Sequence, residues 1–569
     1  MARGAHTVFN CDLIATTLDL QLGWAMTART GRGLAATAAA GAILAATAAC
    51  SVPSSGGGNS GGSGDGGSGG SGAGDGTSLV VGIAQEPETL NPLLGYGKDG
   101  NSKIFDGLLT HDAGMKLRPA LAEELPDVSD DGRTYTYRLR EGVEFSDGEE
   151  LTAEDVVFTY ETILDEGTNN PSKGELDAVA DVRAKDDRTV VFRLKYPYAP
   201  FAERTVLPIV PEHAAGKGDV NTGPFNTAPI GTGPYVLTGW SRGEKLTLKA
   251  NPDHWGGAPK VERLTMAVVE DDDVRATRLR SGDLDAAVLP PALAAGFEDD
   301  EGRRRIDART ADYRAVTLPT GNKVTGDTAV RRALDTAVDR DAMVDGILDG
   351  AGRAAHGPIP VHSPWFAEGT ERPHDPAKAR KILDEAGWKP GEDGIRTKDG
   401  RRASFTLWYF SGDKLRQDHA LAYASDAKKI GIEVKVQAGT RETVRARLGK
   451  DAMLMGNGFP ADPDFDLYGL LHSSLAGDGW NNMSRYTSDE VDEALDEGRR
   501  SNDPKTRGKA YDRVQRALVK NPGYTFLTHI DHVYVMDDDW DGVTTQLEPH
   551  DHGLGTGPWW NVEDWTPKK

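Results

Sequence analysis

The stretch DGRTYTYRLREGVEFSDGEELTAEDVVFTYE, residues 131–161, sets two periodicities side by side. Tyr135-Thr136-Tyr137-Arg138-Leu139 alternates with period two, which predicts a half-exposed strand. Thr152-Ala153-Glu154-Asp155 then opens a helix, with Thr152 as its cap and Val156, Tyr160 and Ile163 recurring on one face. The same alternation continues outward. SLVVGIA (78–84) and TVVFRL (189–194) read as further strands, and Val330, Leu334, Ala337 and Val338 mark an amphipathic helix that leaves Arg331 and Arg332 outside. Asp375-Pro376 and Asp503-Pro504 each place a capping carboxylate before a proline suited to a first helical turn, and Gly387 closes the former helix. No fixed-period repeat is present, and the class is mixed α/β.

Upstream of this body the chain carries an address. From Met26, Arg29 and Arg32 form a positive region, residues 34–49 are uncharged and rich in alanine, and Thr47-Ala48-Ala49-Cys50 follows. This is a secretory signal, too short and too alanine-rich for a membrane span. Its ending resembles a lipobox, in which Cys50 would be acylated and become the mature N-terminus. Residues 1–25 carry Asp12 and Asp19, unlike a signal's start, so translation is expected to begin at Met26. Residues 51–78 form a Gly/Ser tether with nothing to pack, which reaches roughly 25–30 Å as a flexible coil. Two G-x-S-x-G matches fall inside it, where no strand or helix could make them a nucleophile elbow.

Composition narrows the function. Lys+Arg number 65 against 88 Asp+Glu, a net charge of −23, which argues against a nucleic-acid partner and for a solvated acidic surface. The two cysteines are Cys11 and Cys50, so nothing beyond residue 50 can form a disulfide, a thiolate metal site or a thiol nucleophile. HExxH and P-loop motifs are absent as well, and a binding protein is expected rather than an enzyme.

An ordered series of motifs spans the body: residues 131–161, YPYAPF (196–201), PIGTGPYVL (229–237) and NPDHWGG (251–257), then SGDLDAA (281–287), DTAVRRALDTAVDRDAMV (327–344), DPAKARKILDEAGW (375–388) and FPADPDFDLYGLLHSS (459–474). The series resembles the family 5 extracellular solute-binding proteins, the peptide- and nickel-binding receptors of ATP-driven importers. The resemblance implies a two-lobed periplasmic-binding-protein fold whose lobes close around a ligand. Lobe I would cover 79–312 with an inserted subdomain from about 107 to 225, lobe II 313–533, and 534–569 would return to lobe I. It implies a monomeric lipoprotein on the outer face of the cell membrane. The partners would be a small ligand, most naturally a peptide, and the importer's permease and ATPase, with no cofactor.

Peptide receptors of this family hold the ligand's amino terminus with an Asp in a segment like FPADPD. Asp462 matches best, beside Phe459, with Asp464 and Asp466 as rivals; Asp462-Pro463 equally fits a helix cap. Two positions depart from the family's pattern and argue against an ordinary dipeptide. Asn170-Pro171-Ser172-Lys173 stands where a ligand-facing Tyr is usual, and Phe410-Ser411-Gly412 where a carboxylate-binding Arg is usual, so Arg416 or Lys414 would substitute. Tyr96, Trp408 and Tyr409 are aromatic candidates for the cleft or for the core. His550-Asp551-His552 is the candidate for a metal or metal chelate, the alternative ligand class. Asp537, Asp539, Asp541 and Glu548 match the spacing of a calcium loop, though a strand-like HVYVM precedes them.

Overall fold

Strand order separates three larger sheets among the described residues and shows where the chain passes between them. A computed structural model describes residues 77–550 and 555–569; the leader, Cys50 and the tether up to residue 76, and also His552, lie outside the described residues. The described residues belong to one compact unit.

The opening stretch builds a four-stranded antiparallel sheet, in the order Asp127–Val128, Thr134–Arg138, Thr189–Leu194, Val179–Asp186. Helix Ala153–Leu164 lies on it with Val156, Tyr160 and Ile163 buried, and Tyr160 meets Phe192 edge-on at 4.8 Å. Its start is fixed as the sequence predicts: Asp155 Oδ2 accepts the Thr152 backbone N–H at 2.9 Å, the reciprocal half of a capping box.

Ser78–Ile83 sits inside a seven-stranded sheet, parallel to both Arg263–Val268 and Ala286–Leu289. His532–Asp537 and Arg303–Ala308 extend one side of it antiparallel, and Lys245–Ala250 and Tyr235–Ser241 the other. A second, six-stranded sheet runs Gly352–Ala354, Tyr524–Ile530, Tyr313–Thr317, Ala452–Asn457, Ser404–Phe410, Glu433–Gly439, with the last three strands parallel. Each large sheet has its own buried apolar core, which is the two-lobed α/β architecture expected.

The chain crosses between these sheets twice, at residues 309–312 and at Asp531. The crossings are bonded to one another: the Thr310 hydroxyl donates to Ile530 O, and Ile530 N–H donates to Asp312 O at 2.8 Å. A third segment lies alongside, with Ala311 N–H on Glu548 O at 2.8 Å. Two covalent crossings set side by side make a hinge.

Asp375 and Asp503 cap their helices, and Gly387 follows the first of these helices at φ 84°, as the sequence indicates. Arg331 corrects the reading. It is buried rather than exposed, because its guanidinium donates to Pro522 O at 2.8 Å and Thr325 O at 2.7 Å, which satisfies a charge that burial would otherwise forbid.

Candidate functional site

Strand Ala452–Asn457 ends at the hinge and turns into helix Pro463–Leu471. Gly458 makes the turn possible at φ 147°, since a Cβ there would sit 2.0 Å from Ala311 O of the crossing segment. The helix and its cap then present three buried carboxylates two residues apart, two of them ion-paired and one not.

Asp462 is the N-cap, accepting Asp464 N–H at 2.9 Å. Arg507 also grips it with two parallel bonds of 2.7 and 2.8 Å, so its charge is matched inside the lobe. Asp464 is held by Arg499 at 2.8 to 3.1 Å. Asp466 differs. It accepts Asn457 Nδ2 and the Phe459 N–H, both at 2.9 Å, and makes no ion pair among the described residues. Burial pushes its carboxyl up to about 7.

On the other side of this strand end two guanidiniums converge. A Cβ on Gly456 would lie 2.5 Å from Arg314 Nη1 and 2.9 Å from Arg416 Nη2, so the bare glycine makes room for both. Arg314 pairs with Asp312 at 2.5 Å and Arg416 with Asp413, yet the Nε–H of each is buried without an acceptor among the described residues. Burial and the neighbouring Arg314 both lower the Arg416 pKa. Gly456–Phe459 is therefore flanked by a carboxylate lacking a cation and by two cations with unused donors. Lys414, the other substitute, is exposed and paired with Asp418.

The aromatic candidates divide. Phe459 stands edge-on to Phe465 at 5.1 Å, beside Asp466. Tyr96 packs against the core of the first lobe, 6.5 Å from Phe105, and burial raises its hydroxyl to about 12. Trp408 and Tyr409 point to opposite faces of their strand, as period two requires, and each packs into a different cluster of the second lobe; they cannot share one wall. Phe410, not among the candidates, is the residue of that strand between Arg416 (5.7 Å) and Trp480 (6.0 Å).

The calcium reading is not what the geometry supports, and of the histidine cluster only His550 is among the described residues. His550 Nδ1 lies 2.7 Å from Asp312 Oδ1, inside the hinge ion cluster. Glu548 is buried against Tyr534 and His532, Asp537 pairs with Arg303 at 2.9 Å, and Asp539 and Asp541 are exposed. Asp537 ends one strand, Asp541 lies in the two-residue strand Trp540–Asp541 beyond a turn, and Glu548 is turned into the hinge, so the four carboxylates do not converge on one point. Among the described residues no group of three or more potential ligands could hold a metal.

The first lobe reaches the helix Pro463–Leu471 directly. Glu175 holds Lys98 at 2.8 Å and pairs with Arg204; burial alone would raise its acid, but those two cations win and hold it down at about 2. The Arg204 guanidinium in turn lies 3.7 Å above the ring of Phe465, in the other lobe. No local pattern marks this contact, because 261 residues separate the partners.

With this geometry in view, comparison with known proteins is specific. The family described as bacterial extracellular solute-binding proteins, family 5 Middle, matches residues 116–478. The chain is 68% identical over 471 residues to Protein XP55 of Streptomyces lividans, covering 83% of this chain and 87% of that protein. It is similar to the structure of NikZ from Campylobacter jejuni in complex with Ni(L-His), at 31% identity and TM-score 0.74, covering 86% of this chain and 99% of that one. The oligopeptide-binding protein AppA from Bacillus subtilis, in complex with a nonapeptide, matches at 30% identity and TM-score 0.71 with the same coverage.

Proposed function

The chain belongs to the bacterial extracellular solute-binding proteins of family 5, and from that premise we propose that it captures a peptide between its lobes and hands it to an ATP-driven importer. One observation carries the peptide reading. Asp466 is a buried carboxylate without a cation, and across Gly456–Phe459 stand Arg314 and Arg416 with buried donors unused. A zwitterion supplies what each side lacks: its ammonium a cation for Asp466, its carboxylate acceptors for the unused guanidinium donors. The amine partner in this reading is Asp466 rather than Asp462, whose charge Arg507 already matches.

The likeness to a nickel–histidine receptor favours a second reading. A histidine chelate also carries a carboxylate for the arginine pair, so the two readings share that half of the site. Native mass spectrometry of the protein as purified reads retained cargo directly. Calorimetry against tri-alanine and against nickel with L-histidine then separates them. Peptide affinity that collapses in Asp466→Asn supports the first reading; binding of the chelate alone replaces it.

The reading has no catalytic step, and the family is one of binding proteins. No helix among the described residues is long and apolar enough to cross a membrane. Attachment would rest on acylated Cys50 and its tether, with a monomer on the outer face of the membrane. Cys50→Ser should release the domain into the medium.

A further inference from the structure

Beyond the ligand groups, the two lobes meet directly. Phe465 leaves the helix Pro463–Leu471 of the second lobe and packs against the core of the first. Arg204 covers its ring at 3.7 Å and is itself fixed by Glu175, which is fixed by Lys98. A few residues away Arg499, paired with Asp464, lies 3.2 Å over Tyr468 and 5.4 Å from Tyr198 of the first lobe. At a separate point the turn around Gly132 meets Asn502: a Cβ on that glycine would lie 2.7 Å from Asn502 Nδ2. None of these contacts needs a ligand atom.

We infer that Arg204 and Phe465 form an interlobe latch that stabilises the closed receptor and sets its ligand affinity without touching the ligand. Contacts present only in the closed state shift the open–closed equilibrium toward it, and a ligand that binds the closed state inherits the gain. The latch is preassembled on one side. Glu175 orients the guanidinium before closure, so little side-chain freedom is lost when the ring of Phe465 arrives. The cation–π contact is largely shielded from water, with Phe465 half-buried and Arg204 Nε buried, and partial desolvation strengthens such a pair. Arg204 and Phe465 are thus positioning residues. Closure is then partly driven by the protein itself.

The test begins without ligand, so it stands even where the peptide reading fails. The protein is stripped of cargo in guanidinium, refolded, and measured by small-angle X-ray scattering, with near-UV circular dichroism to confirm its fold. Wild type is expected to be mostly closed. Arg204→Ala and Phe465→Leu, which alter opposite sides of the contact, should each give a larger radius of gyration, and Arg204→Lys, which keeps a cation over the ring, should restore the compact profile. For tri-alanine, or for nickel–histidine where that is the ligand, each disruptive variant should lose roughly five- to thirtyfold in affinity, mainly through faster dissociation. The double variant should lose no more than the worse single one, because both remove the same contact. Superimposable scattering of wild type and both disruptive variants overturns the latch, as does an extended wild type. Failure to bind either probe overturns the ligand reading and leaves the scattering result to decide the latch.

Discussion

Arg507 holds Asp462 through two bonds of 2.7 and 2.8 Å, and this leaves Asp466, four residues along the same helix, as the carboxylate without a cation. The two residues look equivalent along the chain and have opposite roles in the fold.

Asp462→Asn should therefore cost stability more than affinity. Asparagine keeps the cap but leaves the buried Arg507 guanidinium unmatched, and breaking one partner of such a pair costs about 3–5 kcal/mol. Urea unfolding should show that loss, while tri-alanine affinity of the folded protein moves little. A large affinity change at unchanged stability would return Asp462 to the cleft.

Asp466 should make the unliganded receptor less stable as pH rises. Its carboxyl is raised from 3.8 to about 7 in the fold, so between those values the unfolded chain has lost a proton the folded chain keeps. The unfolded state then binds fewer protons, and stability falls with pH through this window, by at most about 4 kcal/mol. Asp466→Asn should flatten that part of the urea-unfolding pH profile and weaken tri-alanine binding by roughly 30- to 5000-fold. A profile that is already flat in the unliganded wild type would contradict the buried, unpaired state.

The arginine pair should read a carboxylate. Arg416→Gln should weaken binding of tri-alanine by about 10- to 100-fold and leave tri-alanine amide nearly unchanged. Gly456→Ala should act alike, because its methyl would displace the ends of two flexible side chains and no backbone. Calorimetry with acid and amide checks both variants; equal losses for the two ligands would remove the pair from the site.

His532 links the hinge to alkaline pH. Burial alone would lower its pKa, but Glu548 and Asp312 overcome this and raise it to about 9 from 6.5. The folded chain keeps its proton where the unfolded chain has lost it, so this contribution is complete below pH 6.5 and is lost as pH rises through about 9, by about 3 kcal/mol. His532→Gln should be less stable at pH 6 and lack that alkaline decline in urea unfolding. An unchanged slope would show that the cluster is not charged as the geometry indicates.

Local chemistry was legible in the chain wherever partners are near in sequence. Thr152 with Asp155, Asp375 before Pro376 and Gly387 after its helix all act within one turn, so the residue types already imply the geometry. The α/β class followed from periodicity, and the two-lobed architecture from the family resemblance that the ordered motifs carry. Tertiary structure alone decided the electrostatics. Asp462, Asp464 and Asp466 share a helix and a buried setting, and only Arg507 and Arg499, 45 and 35 residues away, distinguish the paired acids from the unpaired one. The same distance hid the burial of Arg331 on Pro522 O and the seat of Arg204 over Phe465. The calcium spacing failed for a related reason: His532 and Tyr534 hold Glu548 and Arg303 holds Asp537, so partners the spacing does not record separate its carboxylates. Capping and periodicity are settled within a few residues of chain, whereas a charge in a low-dielectric interior is settled by whichever group the fold brings within a few ångströms, and sequence spacing does not record that.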